Sequence, residues 1–224
     1  MTDTPLLDSI ETTTGPELTR AVIFLHGLGA DGNDFFPVVP ELNLQGIPAV
    51  RFVFPHATIQ PVTINGGMSM RSWYDIKLAD LTRREDEAGI RVSQQHVERL
   101  IARENARGIA TEHIVLAGFS QGCAMTLHTG LRHPQKLAGL VALSGYLPIA
   151  DLLDAERSPA NAATPVFMGH GTSDPVVPLA RAEASRDRLT ALGYPVEWHT
   201  YPMPHSVCVP ELADISAFLR KVLA

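Results

Sequence analysis

A chain of 224 residues that is 45% hydrophobic has the size and apolar content of a single α/β domain with a full core. Its formal net charge is -6, with acids and bases mixed and no basic patch with interleaved aromatics, which argues against nucleic acid as a partner. The first residues are polar and acidic rather than basic then apolar, and no apolar run reaches about 18 residues. One domain over residues 1–224 is expected, in the cytoplasm and without a transmembrane segment. The two cysteines, Cys123 and Cys208, form neither a disulfide framework nor a metal-ligand cluster.

Apolar, β-branched runs alternate with helical patterns along the chain. Residues 20–25 read as a strand ending in His26-Gly27, and residues 33–44 as a short helix with Gly46 beyond its end. A second strand over 49–54 is stopped by Pro55. Residues 57–84 keep no period and read as irregular, punctuated by Pro61, Gly66 and Gly67. Residues 91–107 carry Val92, Val97, Leu100 and Ile101 at helical spacing, with Gly108 as the stop. Residues 112–117 read as a strand and 123–131 as a helix start. Strands over 138–144 and 165–170 follow, then a helix over 178–192, a strand over 195–201 and a helix over 211–223. This alternation predicts a mostly parallel sheet with helices on both faces, with chemistry gathered at the carboxyl ends of the strands.

Gly118-Phe119-Ser120-Gln121-Gly122 fits G-x-S-x-G and lies between a predicted strand and a predicted helix. A serine on such a turn is held in a strained backbone with its hydroxyl exposed. The hydroxyl needs a base, and the base needs a carboxylate to orient it. Asp174 follows the strand over 165–170, in a loop stiffened by Pro175 and Pro178. Its rivals Asp151 and Asp154 precede that strand. His205 follows the last strand, whereas His199 lies inside it. His56, His96, His113, His128 and His133 lie before the aspartate or on helices, and His26 and His170 precede glycines at strand ends as loop braces. No histidine pair has metal-ligand spacing with an acid, so neither metal nor cofactor is expected. The glycine-rich loop His26-Gly27-Leu28-Gly29-Ala30-Asp31-Gly32 lacks the phosphate-loop pattern. Its Leu28 amide and the Gln121 amide are the expected oxyanion donors.

Together these blocks resemble the small carboxylesterase and acyl-protein thioesterase (lysophospholipase-like) family of the α/β-hydrolase superfamily. The resemblance runs from about Ala21 to Phe218 and includes Phe54-Pro55-His56-Ala57, Arg71-Ser72-Trp73-Tyr74-Asp75-Ile76 and Leu143-Ser144-Gly145-Tyr146. It implies an α/β-hydrolase fold with no large lid domain. It also implies Ser120 as nucleophile, His205 as base, Asp174 as orienting acid, and Leu28 and Gln121 as oxyanion amides. The segment matching residues 57–80 would line the acyl channel, with Met68, Met70 and Trp73 near the substrate. Pro204 stands where many members have glycine.

The implied reaction is hydrolysis of short to medium acyl esters, with thioesters and lysophospholipids as the alternative main substrates. The implied partner is a small or lipid-like acyl ester, with acylated protein also open. The family makes a homodimer one possible state, although no interface stripe is legible. A hydrolase scaffold that only binds is the remote alternative, and all three triad residues argue against it.

Overall fold

The computed structural model describes residues 5–77 and 85–224. Seven strands form the main sheet: β1 (Ser9–Thr13), β2 (Leu18–Leu25), β3 (Ala49–Pro55), β6 (Ile114–Phe119), β7 (Gly139–Leu143), β8 (Val166–Gly171) and β9 (Val196–Tyr201). Their order is β1-β3-β2-β6-β7-β8-β9. Every neighbouring pair is parallel except β1 with β3, which run antiparallel from Ser9 against Pro55. The short edge strand β1, largely polar and half-buried, is absent from the sequence expectation because it lacks a continuous apolar run.

Period-2 alternation divides the strand side chains between two cores. Ala21, Ile23, Leu25, Ile114 and Leu116 face one layer, which holds α1 (Glu87–Ala106), α2 (Gln121–Arg132) and Leu189 of α4 (Leu179–Ala191). Val22, Phe24, Val115 and Ala117 face the other, against Phe35 and the helix α5 (Val209–Leu223). Full burial of each large apolar side chain contributes roughly 1.5–3 kcal/mol, so both layers hold the strands in register.

Three stretches differ from expectation. The short helix expected over 33–44 is a 3₁₀ turn over Phe36–Glu41, because Pro37 and Pro40 each lack an N–H for an α-helical bond. The helix α1 starts at Glu87, a turn before the expected residue 91. The stretch expected to be irregular contains an antiparallel hairpin, β4 (Ile59–Val62) with β5 (Met68–Arg71), in which Ile59 faces Arg71. A 3₁₀ turn over Thr63–Asn65 and Gly66-Gly67 join its strands. Part of the same expectation falls on residues 78–84, outside the described residues. A further short helix, α3 (Leu153–Glu156), lies between β7 and β8.

Candidate active site

The β6 strand ends at Phe119 and α2 begins at Gln121, so Ser120 alone makes the turn. Its φ of 55° and ψ of -115° lie where a side chain is disfavoured, a strain that surrounding bonds must hold. The Ser120 N–H donates to the Leu143 carbonyl at 2.9 Å, and its own carbonyl accepts the Ala124 N–H at 3.2 Å. A Cβ on Gly118 would strike the Gly122 carbonyl, and one on Gly122 would strike the Leu25 main chain. Both glycines are therefore required by the close approach of β2, β6 and α2.

Asp174 and His205 follow the ends of β8 and β9. The His205 Nδ1 donates to Asp174 Oδ2 at 2.6 Å. The Asp174 carboxylate is fully buried, and its other oxygen accepts the N–H groups of Val176 and Val177 at 2.8 and 2.9 Å. These bonds fix the carboxylate, and the carboxylate fixes the ring. With Nδ1 protonated, Nε2 is left as the acceptor, the form a general base needs. The His205 ring also packs against Phe119 with centroids 4.7 Å apart, which sets it beside the residue preceding Ser120. His170 braces the same loop: its Nε2 donates to the Val177 carbonyl at 2.9 Å and lies 3.5 Å from Asp174 Oδ2. Burial, before any other influence, lowers the His170 pKa.

The loop after β2 passes over the nucleophile. A Cβ on Gly27 would lie 3.5 Å from the Ser120 Cβ. The Gly29 N–H donates to the Arg71 carbonyl at 2.9 Å, which ties this loop to the end of β5. His26 is buried beneath it, bonded through Nδ1 to the Gly27 carbonyl at 2.7 Å and through Nε2 to the Ala57 N–H at 3.0 Å. Burial lowers its pKa to about 4. The Gln121 side chain faces away from the reaction: Oε1 accepts the Trp73 N–H at 2.8 Å and Nε2 donates to the Tyr74 carbonyl at 2.7 Å. That leaves its main-chain N–H, at the open start of α2, for an anion.

Ser120 opens into a cleft of about 360 Å³ walled by Leu28, Ile64, Tyr74, Tyr146 and Val176 among others. The Tyr74 and Tyr146 hydroxyls bond at 2.9 Å, and the Arg181 guanidinium lies 3.6 Å over the Tyr146 ring. The three residues expected along the acyl channel, Met68, Met70 and Trp73, are not among those that line this cleft. Met68 is exposed on the hairpin. Met70 abuts Gly29, with its Sδ 3.7 Å from where a Cβ there would stand, and accepts from Asn65 Nδ2 at 3.2 Å. Trp73 is fully buried and donates its indole N–H to the His26 carbonyl at 2.9 Å. Alternation past Trp73 instead turns Tyr74 and Ile76 into the cleft wall. The wall residues Ile64, Tyr146, Val176 and Val177 were not legible in the sequence. Only the placement of Tyr146 in its block, and of Val176 and Val177 between Pro175 and Pro178 of the Asp174 loop, could have signalled them.

Among the described residues, no helix is long and apolar enough to cross a membrane. Residues 9–223 match the model of the Phospholipase/Carboxylesterase family. The chain is 44% identical over 214 residues to acyl-protein thioesterase 1 of Gibberella zeae, covering 92% of this chain and 91% of that protein. It is 45% identical over 215 residues to acyl-protein thioesterase 1 of Neurospora crassa, covering 92% and 87%. Among solved structures it is similar to Arabidopsis thaliana SOBER1, with a TM-score of 0.85 at 30% identity over 92% of this chain and 99% of that one. With its strained serine turn on a mostly parallel α/β-hydrolase sheet, the chain belongs to the phospholipase/carboxylesterase family and is a hydrolase of ester or thioester bonds.

Proposed function

We propose that Ser120, His205 and Asp174 form a catalytic triad that hydrolyses acyl esters and thioesters through an acyl-enzyme. His205 Nε2 takes the Ser120 proton as Oγ attacks the carbonyl carbon. The oxyanion is stabilised by the amides of Leu28 and Gln121. His205 then protonates the leaving alcohol or thiol, and in the second half activates the water that releases the acid. The observation that carries this reading is the 2.6 Å His205–Asp174 bond beside a serine held at φ 55°.

The apolar cleft supports short to medium acyl chains as the group transferred. The relatives named acyl-protein thioesterase 1 support acylated proteins and thioesters as the alternative substrates, and the phospholipase in the family description supports phospholipid esters, lysophospholipids among them, as another. The proposed setting is the cytoplasm, where the thiols Cys123 and Cys208 would stay reduced.

Ser120→Ala is expected to lower kcat/KM for p-nitrophenyl butyrate by about 10⁴-fold or more, with loss of fluorophosphonate labelling. Retention of most activity would sink the assignment. A chain-length series of kcat/KM, run with matched oxygen esters and thioesters, decides the substrate class. A maximum at short oxygen esters favours the esterase, and one at long thioesters favours the protein thioesterase.

A further inference from the structure

His26 takes no part in the proposed proton transfers, yet its ring is almost completely buried under the loop that covers Ser120. Its neighbours settle its tautomer. The Ala57 main-chain N–H, 3.0 Å from Nε2, can only donate, so Nε2 must accept. The Gly27 carbonyl, 2.7 Å from Nδ1, can only accept, so Nδ1 must carry the proton. A second, longer bond to the same carbonyl comes from the Ala30 N–H at 3.3 Å.

The Gly27 carbonyl belongs to the same peptide plane as the Leu28 N–H. In a planar trans peptide the two groups point in opposite directions. Holding the carbonyl down onto the buried ring therefore turns the Leu28 N–H up, toward the cleft that Leu28 and Ser120 line together. Among the described residues, that N–H donates to no main-chain acceptor, while the next N–H, of Gly29, is tied to Arg71. The ring is itself secured, because the His26 carbonyl accepts the Trp73 indole N–H at 2.9 Å.

We propose that His26 is a positioning residue for acyl transfer: through Nδ1–H it fixes the Gly27–Leu28 peptide so that the Leu28 amide faces the developing oxyanion. The proposal rests on the acyl-transfer reading above and deepens it. A donor aimed in advance at charge that appears only in the transition state lowers the barrier without tightening substrate binding. The buried ring also stays neutral until about pH 4, so Nε2 goes on accepting the Ala57 N–H and the ring keeps its seat across the ordinary working range.

Two near-isosteric variants separate this role from simple bracing. His26→Asn keeps a donor near the Nδ1 position and loses the acceptor for Ala57. His26→Gln keeps an acceptor near Nε2 and loses the donor to Gly27. The expected result is kcat within about threefold of wild type for His26→Asn. His26→Gln is expected to lower kcat about 10- to 100-fold with KM within about twofold, and to weaken inhibition by a trifluoromethyl ketone by the same factor as kcat. An Asn-to-Gln ratio of kcat below about threefold, or a loss carried by KM, overturns the role of His26. Imidazole ¹⁵N shifts in the wild-type enzyme test it without any variant: protonated Nδ1 with bare Nε2 supports it, and the reverse overturns it. Ser120→Ala run beside them keeps the two ideas apart. Activity surviving that change overturns the acyl-transfer reading, whereas activity lost there with no Asn–Gln difference overturns only the part given to His26.

Discussion

The two sides of the cleft are built by different means. On one side, Ser120, Asp174 and His205 stand on the ends of β6, β8 and β9, adjacent or nearly adjacent strands of one parallel sheet. On the other, the glycine loop and the cleft wall lean on the hairpin β4–β5 and the residues on either side of it, through bonds from Gly29 to Arg71, Ala57 to His26 and Gln121 to Trp73 and Tyr74. The first side takes its precision from sheet register. The second takes it from a network of single hydrogen bonds reaching across the chain. On the proposed mechanism, chemistry therefore belongs to the sheet, and the shape offered to substrate belongs to an excursion from it.

Four changes would break or sharpen that contrast. The largest effect is expected from Asp174→Asn, which leaves the sheet intact but no longer holds His205 in the accepting tautomer. It should lower kcat about 10³- to 10⁴-fold with little change in KM. A loss shared equally with KM would mean that the loop, not the tautomer, had failed.

The next effect is on stability beneath the same side. Glu211, in the first turn of α5, is fully buried against Gly169 of β8, and neither carboxyl oxygen has a formed hydrogen bond. Burial raises its pKa to about 8, against a weaker opposing pull from the Cys208 main chain. The unfolded chain releases this proton near the ordinary value of 4.5, and the folded chain keeps it until about 8. The folded state thus binds more protons between those values, and stability falls as pH rises through that interval. Glu211→Gln should remove the loss, gaining roughly 3–5 kcal/mol relative to wild type on going from pH 4.5 to pH 8. His26 acts with the opposite sign below pH 6.5, but it is present in both proteins and cancels. Urea midpoints for the pair at pH 5, 6.5 and 8 check this, and parallel curves would refute it.

A smaller effect is expected where the two sides join. Gln121→Ala keeps the proposed oxyanion amide but cuts both side-chain bonds to residues 73 and 74. Activity should fall about 10-fold, with raised KM for long acyl chains as the wall loosens. An unchanged KM across chain lengths would show that the wall stands without this strut. The smallest effect is expected from Ile64→Ala, a half-exposed cleft residue. It should raise KM by less than about threefold for long chains and leave kcat and short esters alone. A kcat effect as large as that of Gln121→Ala would erase the distinction between the two sides.

The same contrast governs what could be read from the sequence. The parallel strands announce themselves because both faces are covered, so their side chains form continuous apolar runs such as Ala21-Val22-Ile23-Phe24-Leu25. The order of Ser120, Asp174 and His205 then follows from where those runs end. The hairpin carries no such mark. Its strands are four residues each, β4 contains Pro61, and both Ile59 and Met68 are exposed, so it reads as irregular. Trp73 shows the limit most sharply. Its indole serves the His26 carbonyl and the core, and its neighbour Tyr74 faces the cleft. A shift of one residue in an extended segment exchanges wall for core, and composition does not encode that choice.

The edge position of β9, with His205 just beyond it, bears on when the enzyme becomes active. The proposed base follows the last strand in chain order, after the proposed nucleophile and acid have both been made. A growing chain that has reached only β8 carries Ser120 and Asp174 but not His205, and it lacks the Tyr201 and Met203 carbonyls that accept the N–H groups of Thr172 and Ser173 beside Asp174. Pairing of β9 with the β8 edge supplies that support, and the loop just past β9 brings the missing group. On the proposed mechanism, the newborn chain is therefore unable to cleave acyl bonds before β9 and the loop after it are in place.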